Sequence, residues 1–241
     1  MSIMEPKIGI LFAVCDGPMG DEKHFTRFMA ELTRLGLPYA VHFDHCDSIT
    51  KKFFKRSPLY IGGYEEDNPK VLFGEDSRQN ALDVLLSHSF DWALSLDVDE
   101  TLEKNAPAKI LEATQLGADV VDFVVLDLWL DKRHYRVDGS FAGSHREKMF
   151  NLVSDPRLKY THPTVHAPKV APKGREAVVH HKFPCRVLHW GIMNIDDVRF
   201  HTERWNRVYQ AKVGKNPYGF YDYINDPATV PVLKEVPDDI F

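Results

Sequence analysis

The stretch "SFDWALSLDVDETLEK", Ser89 to Lys104, decides how the rest of the chain is read. Its apolar run, Trp92 to Leu96, has the length of a buried strand and stops at three carboxylates within four residues, Asp97, Asp99 and Glu100. Like charges crowded at a strand end repel one another, so the cluster calls for a cation or a phosphate held with one. On an extended backbone Asp97 and Asp99, two apart, project to the same side. Hard oxygen ligands with open positions favour Mg²⁺ or Mn²⁺, held jointly with a phosphate-bearing substrate, over zinc. The structural alternative is that Asp99 or Glu100 caps a helix beginning near Asn105, which needs one acid and not three.

Upstream, "KIGILFAV" reads as a buried strand. "DEKHFTRFMAELTRLG" reads as an amphipathic helix with Phe25, Phe28, Leu32 and Leu35 at helical spacing and Gly36 at its end, and "PYAVHF" as a second strand. The polar, Gly- and Pro-marked stretch from Asp44 to Asp76, including "SPLYIGGYEEDNP", reads as loop-rich and long enough to be functional or partly mobile. "SRQNALDVLLSHS" resumes as a helix, "DWALSL" as a strand, "NAPAKILEATQLG" as a helix with Pro107 in its first turn, and "DVVDFVVLDLWL" as a long strand. Strands alternating with helices predict an α/β fold built on a largely parallel sheet, whose ligands bind beyond the carboxyl ends of the strands.

After Asp131 the pattern changes. "HREKMFNL", "YTHPTVHA", "AVVHHK" and "CRVLHW" are short and divided by Pro and Gly, and are expected as antiparallel strands and loops laid over an edge of the sheet. "IDDVRFHTERWNRVYQAKVG" reads as a closing helix and residues 216–241 as an irregular tail. The net charge of −5 hides an asymmetry. Residues 1–131 hold 12 Lys and Arg against 23 Asp and Glu, whereas residues 132–215 hold 17 against 7, with eight of the twelve histidines. A basic middle third points to an anionic partner on that side, either the phosphates of a substrate or a polyanion such as DNA. The other reading is an ordinary solvated face.

A chain of 241 residues with 44% hydrophobic residues can bury a full core and is taken as a single domain, 1–241. The sequence has no apolar run near the roughly 20 residues that cross a bilayer, and its first residues lack a leader pattern, so a soluble cytoplasmic protein is expected. Cys15, Cys46 and Cys185 have no CxxC spacing and read as reduced packing residues.

Two families share the chemistry of the opening stretch. "LSLDVDETL" fits the D-x-D-x-T pattern of haloacid dehalogenase-like phosphatases, which would make Asp97 a nucleophile and Asp99 a general acid. It equally resembles the D-x-D region of GT-A fold glycosyltransferases, family 2 members above all. Element order favours the second, because two strands and two helices precede the motif. "SRQNALDVLLSHSFDW" is similar to that family's helix before the D-x-D strand, matched by Arg78 and Asn80. "HREKMFNL", "YTHPTVHA" and "RVLHWG" resemble its later segments, and "VVDFVVLDLWL" lacks the Ser or Thr that the phosphatase needs at the end of its next strand.

The resemblance implies a GT-A, Rossmann-like mixed sheet flanked by helices, with residues 1–131 as the nucleotide-sugar-binding half. Residues 132–215 would be a less regular, basic, acceptor-side half with the closing helix. It implies a metal-dependent transfer from a nucleoside diphosphate sugar, a uridine diphosphate sugar first, to a hydroxyl of a saccharide or of a hydroxylated base in DNA. Asp99, Asp97 and His189 would hold Mn²⁺ or Mg²⁺, and Asp97, Asp16, Arg78 and Asn80 would bind the nucleotide sugar. Arg146, Lys148 and Arg186 are candidate phosphate partners. Where the family reads V-H-E, this chain has Val165, His166, Ala167. The catalytic base is then Asp138 or His166, unless configuration is retained and no base is needed.

Overall fold

The computed structural model describes residues 5–15, 22–67, 76–138, 144–154, 159–160, 170–171, 178–193, 196–197, 199 and 231–241. In chain order the elements are β1 (Ile8–Cys15), α1 (Glu22–Leu35), β2 (Tyr39–Asp44), α2 (Ser48–Lys55), β3 (Tyr60–Glu66), α3 (Asp76–Ser87), β4 (Trp92–Ser95) and β5 (Glu100–Leu102). They continue with α4 (Ala106–Ala113), β6 (Val120–Asp127), β7 (His134–Arg136), β8 (His145–Asn151), β9 (Lys159–Tyr160), β10 (Val170–Ala171), β11 (His180–His189) and β12 (Leu233–Glu235), and a 3-10 turn spans Asp238–Ile240.

Eight strands form one mixed sheet in the order β3-β2-β1-β4-β8-β6-β11-β5. The pairs β3–β2, β2–β1, β1–β4 and β6–β11 are parallel, whereas β8 runs antiparallel to both β4 and β6, and β5 antiparallel to β11. The α/β sheet flanked by helices is therefore as the sequence implies.

Alternation along β1 sets the two faces. Ile8, Ile10, Phe12 and Val14 enter one core with Phe25, Phe28 and Leu32 of α1, Phe54 of α2 and Ile110 of α4. Leu11 enters a second core with Ala81, Leu82 and Leu85 of α3. The predicted apolar stripe of α1 is buried throughout, and Gly36 closes the helix at φ +65° with its N–H donating to the Leu32 carbonyl at 3.0 Å.

Three expectations are corrected. The stretch from Asp44 to Asp76 is not all loop: Asp47 caps α2 by accepting from the Thr50 N–H at 2.7 Å, and "YIGGYEE" is the edge strand β3. Its glycines read as breakers, yet they allow close approach. A Cβ on Gly62 would meet Val84 of α3 at 2.9 Å, and one on Gly63 the Val41 carbonyl oxygen at 2.3 Å. Second, β8 and β11 do not lie over an edge; both are interior strands of the sheet. Third, Asp97 and Asp99 are not on extended backbone, because a turn closed by Glu100 N–H to Asp97 C=O, 2.9 Å, separates β4 from β5. The closing helix and most of the tail fall outside the described residues.

The β5 edge is closed by side chains of α1. Glu31 Oε1 accepts the Leu102 N–H at 2.9 Å, and Arg34, paired with Glu31, donates to the carbonyls of Leu102 at 3.2 Å and Lys104 at 3.0 Å. Fully buried Glu103 accepts from Lys109 and from the backbone and side chain of Arg186, whose guanidinium also holds Asp239. Burial pushes the neighbouring Cys185 thiol up to about 12, consistent with an inert packing residue. No helix among the described residues is long and apolar enough to cross a membrane.

Because backbone carbonyl and strand register leave no room at Gly63, Gly63→Ala is expected to cost about 1–3 kcal/mol, the range for overpacking. Urea denaturation measures it, and the same substitution at Gly117 (φ +65°), where nothing lies within 4 Å, separates steric from backbone cost.

Candidate active site

The carboxyl ends of β4, β6 and β11 and the amino end of the antiparallel β8 lie at one edge of the sheet, and the chemistry-bearing side chains collect there. Asp97 follows β4 directly. Its side chain, 40% exposed, pairs through Oδ1 with Arg78 from the first turn of α3. Its backbone N–H donates to Glu100 Oε2 at 2.9 Å. Surrounding protein opposes its ionisation, but the charges of Arg78 and Lys148 outweigh this and hold its carboxyl below the ordinary range.

Glu100 does not belong to an open acid cluster. It is 1% exposed and takes both Oε atoms to Lys148 Nζ, at 2.8 and 2.6 Å, with Lys148 itself buried on β8. Nor does either acid cap α4, which starts at Asn105 without a side-chain cap. Asp99 anchors the turn through its carbonyl, which accepts the Trp190 N–H at 2.7 Å, and the Trp190 indole donates to Thr101 Oγ1 at 2.8 Å. Asp99 Oδ2 faces His189 Nε2 at 3.2 Å. On its other side His189 Nδ1 lies 2.7 Å from Oδ1 of buried Asp127, and Arg146 Nη2 reaches both Asp127 oxygens at 3.0 Å.

Burial alone would lower the His189 pKa; the Asp99 and Asp127 carboxylates reverse that and raise it well above the usual value. Asp127 is held below the carboxylate range, with burial opposed by His189 and Arg146.

Among the described residues no three His, Cys, Asp or Glu side chains converge as a complete metal set. A smaller seat is present. A Cβ on Gly191 would lie 3.0 Å from both Asp99 Oδ2 and His189 Nε2, so the missing side chain leaves space where an oxygen and a nitrogen donor meet. Two protein donors with the remaining positions open fit Mg²⁺ or Mn²⁺, which keep waters or phosphate oxygens in their shell. Trp190 and Thr101 also line an open groove of about 470 Å³ with Arg27, whose guanidinium stacks on Trp190 at 4.3 Å.

The other sequence candidates divide. Arg78 reaches Asp97, whereas Asn80 Nδ2 sits 3.4 Å from Nδ1 of His42, a residue of β2 stacked on Tyr64. Asp138 is bound by Arg136 at 2.7 and 2.9 Å, and that hydrogen-bonded cation lowers its pKa. Asp16 and His166 lie outside the described residues. Arg146, Lys148 and Arg186, taken as phosphate partners, pair with Asp127, Glu100 and Glu103. Sequence reasoning missed Asp127 and Gly191. Asp127 carries the signal that singled out Asp97, an acid ending an apolar strand, and Gly191 closes "LHWG".

No protein-family pattern and no curated protein sequence matches the chain. Its structure is similar to that of a protein from Desulfovibrio desulfuricans G20 described as a nucleotide-diphospho-sugar transferase, with 15% identity, coverage of 92% of this chain and 96% of that one, and a TM-score of 0.47. HddC from Yersinia pseudotuberculosis complexed with GMP-PN gives 14% identity, 81% and 98% coverage and 0.46. TarS residues 1–349 from S. aureus give 12% identity, 64% and 50% coverage and 0.41, so the chain spans about half the length of that fragment. At TM-scores below 0.5 these likenesses carry no functional inference by themselves.

The raised His189 pKa has a sign. Its imidazolium stabilises the fold fully below the unfolded value of about 6.5, and the contribution is lost as pH rises through the folded value. With chelator present, the stability gap between the wild type and His189→Gln is therefore expected to be widest below about pH 6.5 and to narrow as pH rises above it, read by urea denaturation.

Proposed function

We propose that the chain is a metal-dependent glycosyltransferase that moves a sugar from a nucleoside diphosphate sugar, a uridine diphosphate sugar first, to a hydroxyl acceptor. The observation that carries this reading is the seat above Gly191, where Asp99 Oδ2 and His189 Nε2 meet beside the Arg78–Asp97 pair. A divalent cation held there would stabilise the negative charge that develops on the departing diphosphate. Asp97, next to Arg78, is placed to meet the ribose or the open side of the same cation. Arg78, on the first turn of α3, is placed to exchange its carboxylate partner for a phosphate oxygen.

The acceptor is proposed as a saccharide hydroxyl. The DNA alternative draws less support, because Arg136, Arg146, Lys148 and Arg186 each engage a carboxylate of the chain itself. For the deprotonating group, Asp138 is weakened as a base by its bidentate Arg136 partner. The phosphatase reading asks Asp97 to act as a nucleophile, and it engages Arg78 instead.

One preparation tests the proposal. With Mn²⁺ and a panel of nucleotide sugars beginning with UDP-GlcNAc, the protein is expected to release nucleoside diphosphate, chelator to abolish release, and Asp99→Asn to slow it about 100-fold or more, as for loss of a charge-stabilising group. Phosphate release from p-nitrophenyl phosphate that depends on Asp97 would sink the reading in favour of a phosphatase.

Gly191→Ala places a methyl group in the seat without altering any charge. It is expected to weaken Mn²⁺ binding, read by calorimetry, and the urea midpoint gives separately the cost of the 3.0 Å contacts the methyl makes with Asp99 and His189.

A further inference from the structure

Asp127 lies outside every motif from which the site was read, yet its carboxylate meets the His189 ring. It ends β6, is 1% exposed, and places Oδ1 2.7 Å from His189 Nδ1. Arg146, from the neighbouring strand β8, fixes both of its oxygens at 3.0 Å. The opposite ring nitrogen, Nε2, then faces Asp99 Oδ2 at 3.2 Å. The hydrogen bond made by one ring nitrogen decides which tautomer an imidazole holds and where its other nitrogen points. A carboxylate on the far nitrogen also raises the basicity of the near one toward a metal.

We propose that Asp127, clamped by Arg146, is a positioning residue for His189: it keeps a proton on Nδ1 and turns Nε2 toward Asp99, so that the two present nitrogen and oxygen to a divalent cation that displaces the Nε2 proton to solvent. This rests on the metal reading above. A residue serving only as the buried counter-ion of Arg146 would leave cation affinity untouched once the stranded guanidinium was removed with it, and that difference is measurable.

The full chain is titrated with Mn²⁺ alone, free ion being followed by electron paramagnetic resonance. The His189 Nδ1–H signal is followed by proton–nitrogen correlation in histidine-labelled protein. Asp127→Asn, which keeps an acceptor but loses the charge, is expected to bind Mn²⁺ about tenfold more weakly with the Nδ1–H signal retained. The double variant Asp127→Leu/Arg146→Gln is expected to bind about 100-fold more weakly and to lose the signal. Mn²⁺ affinity equal to the wild type in both variants overturns the proposal; if the double variant does not fold, an unchanged affinity in Asp127→Asn alone does so. A wild type without Mn²⁺ affinity refutes the metal reading instead. In that case loss of the Nδ1–H signal in the double variant upholds the positioning role, and its persistence overturns it.

Discussion

Four carboxylates meet at the edge of the sheet where β4, β6 and β11 end, and the arrangement around them follows from the need to neutralise each one. Asp97 has Arg78, Glu100 has Lys148, Asp127 has Arg146, and His189 stands between Asp99 and Asp127. The Glu100–Lys148 pair is the most demanding, since both ends are buried and removing one partner of such a pair costs about 3–5 kcal/mol. Arg146 and Lys148, two apart on β8, face the same side. Placing β8 antiparallel between β4 and β6 is what brings both bases to the acids. The sheet order and the electrostatics of the site are thus one constraint.

That constraint also accounts for the opposed charges of the first 131 residues and the following 84. Glu100, Glu103 and Asp127 come from the acidic part; Lys148, Arg186 and Arg146 come from the basic part and meet them. A chain divided by sign along its length becomes interleaved by sign across its sheet. The surplus of bases in the middle segment is, at these positions, the complement of surplus acids elsewhere in the same molecule.

The elements that could be read from the sequence were those whose pattern is uninterrupted. The alternating faces of β1 and the stripe of Phe25, Phe28, Leu32 and Leu35 on α1 are set by burial alone, so period and apolarity reveal them. β3 was hidden because Gly62 and Gly63, required by the nearness of Val84 and Val41, look like turn residues. β8 was hidden as an interior strand because Arg146 and Lys148, its ion-pairing residues, interrupt the run that normally betrays burial. In the site, Asp97 and Asp99 were legible as a charge cluster and His189 through a resemblance. The pairing of Glu100 with Lys148, 48 residues away, and of Asp127 with His189, 62 away, depends on strand order and could not be read locally.

The way α1 closes the β5 edge bears on how the chain reaches this state. Glu31 and Arg34 supply to Leu102 the hydrogen bonds that a ninth strand would supply, from a point some 70 residues earlier. Forming that contact closes a long loop, which slows folding relative to local pairing. Until it forms, β5 offers unpaired backbone groups, the template on which chains join edge to edge. Docking of the first helix is thus also the step that ends the risk of aggregation at that side of the sheet. Substitutions at Glu31 or Arg34 would act first on the yield of folded protein.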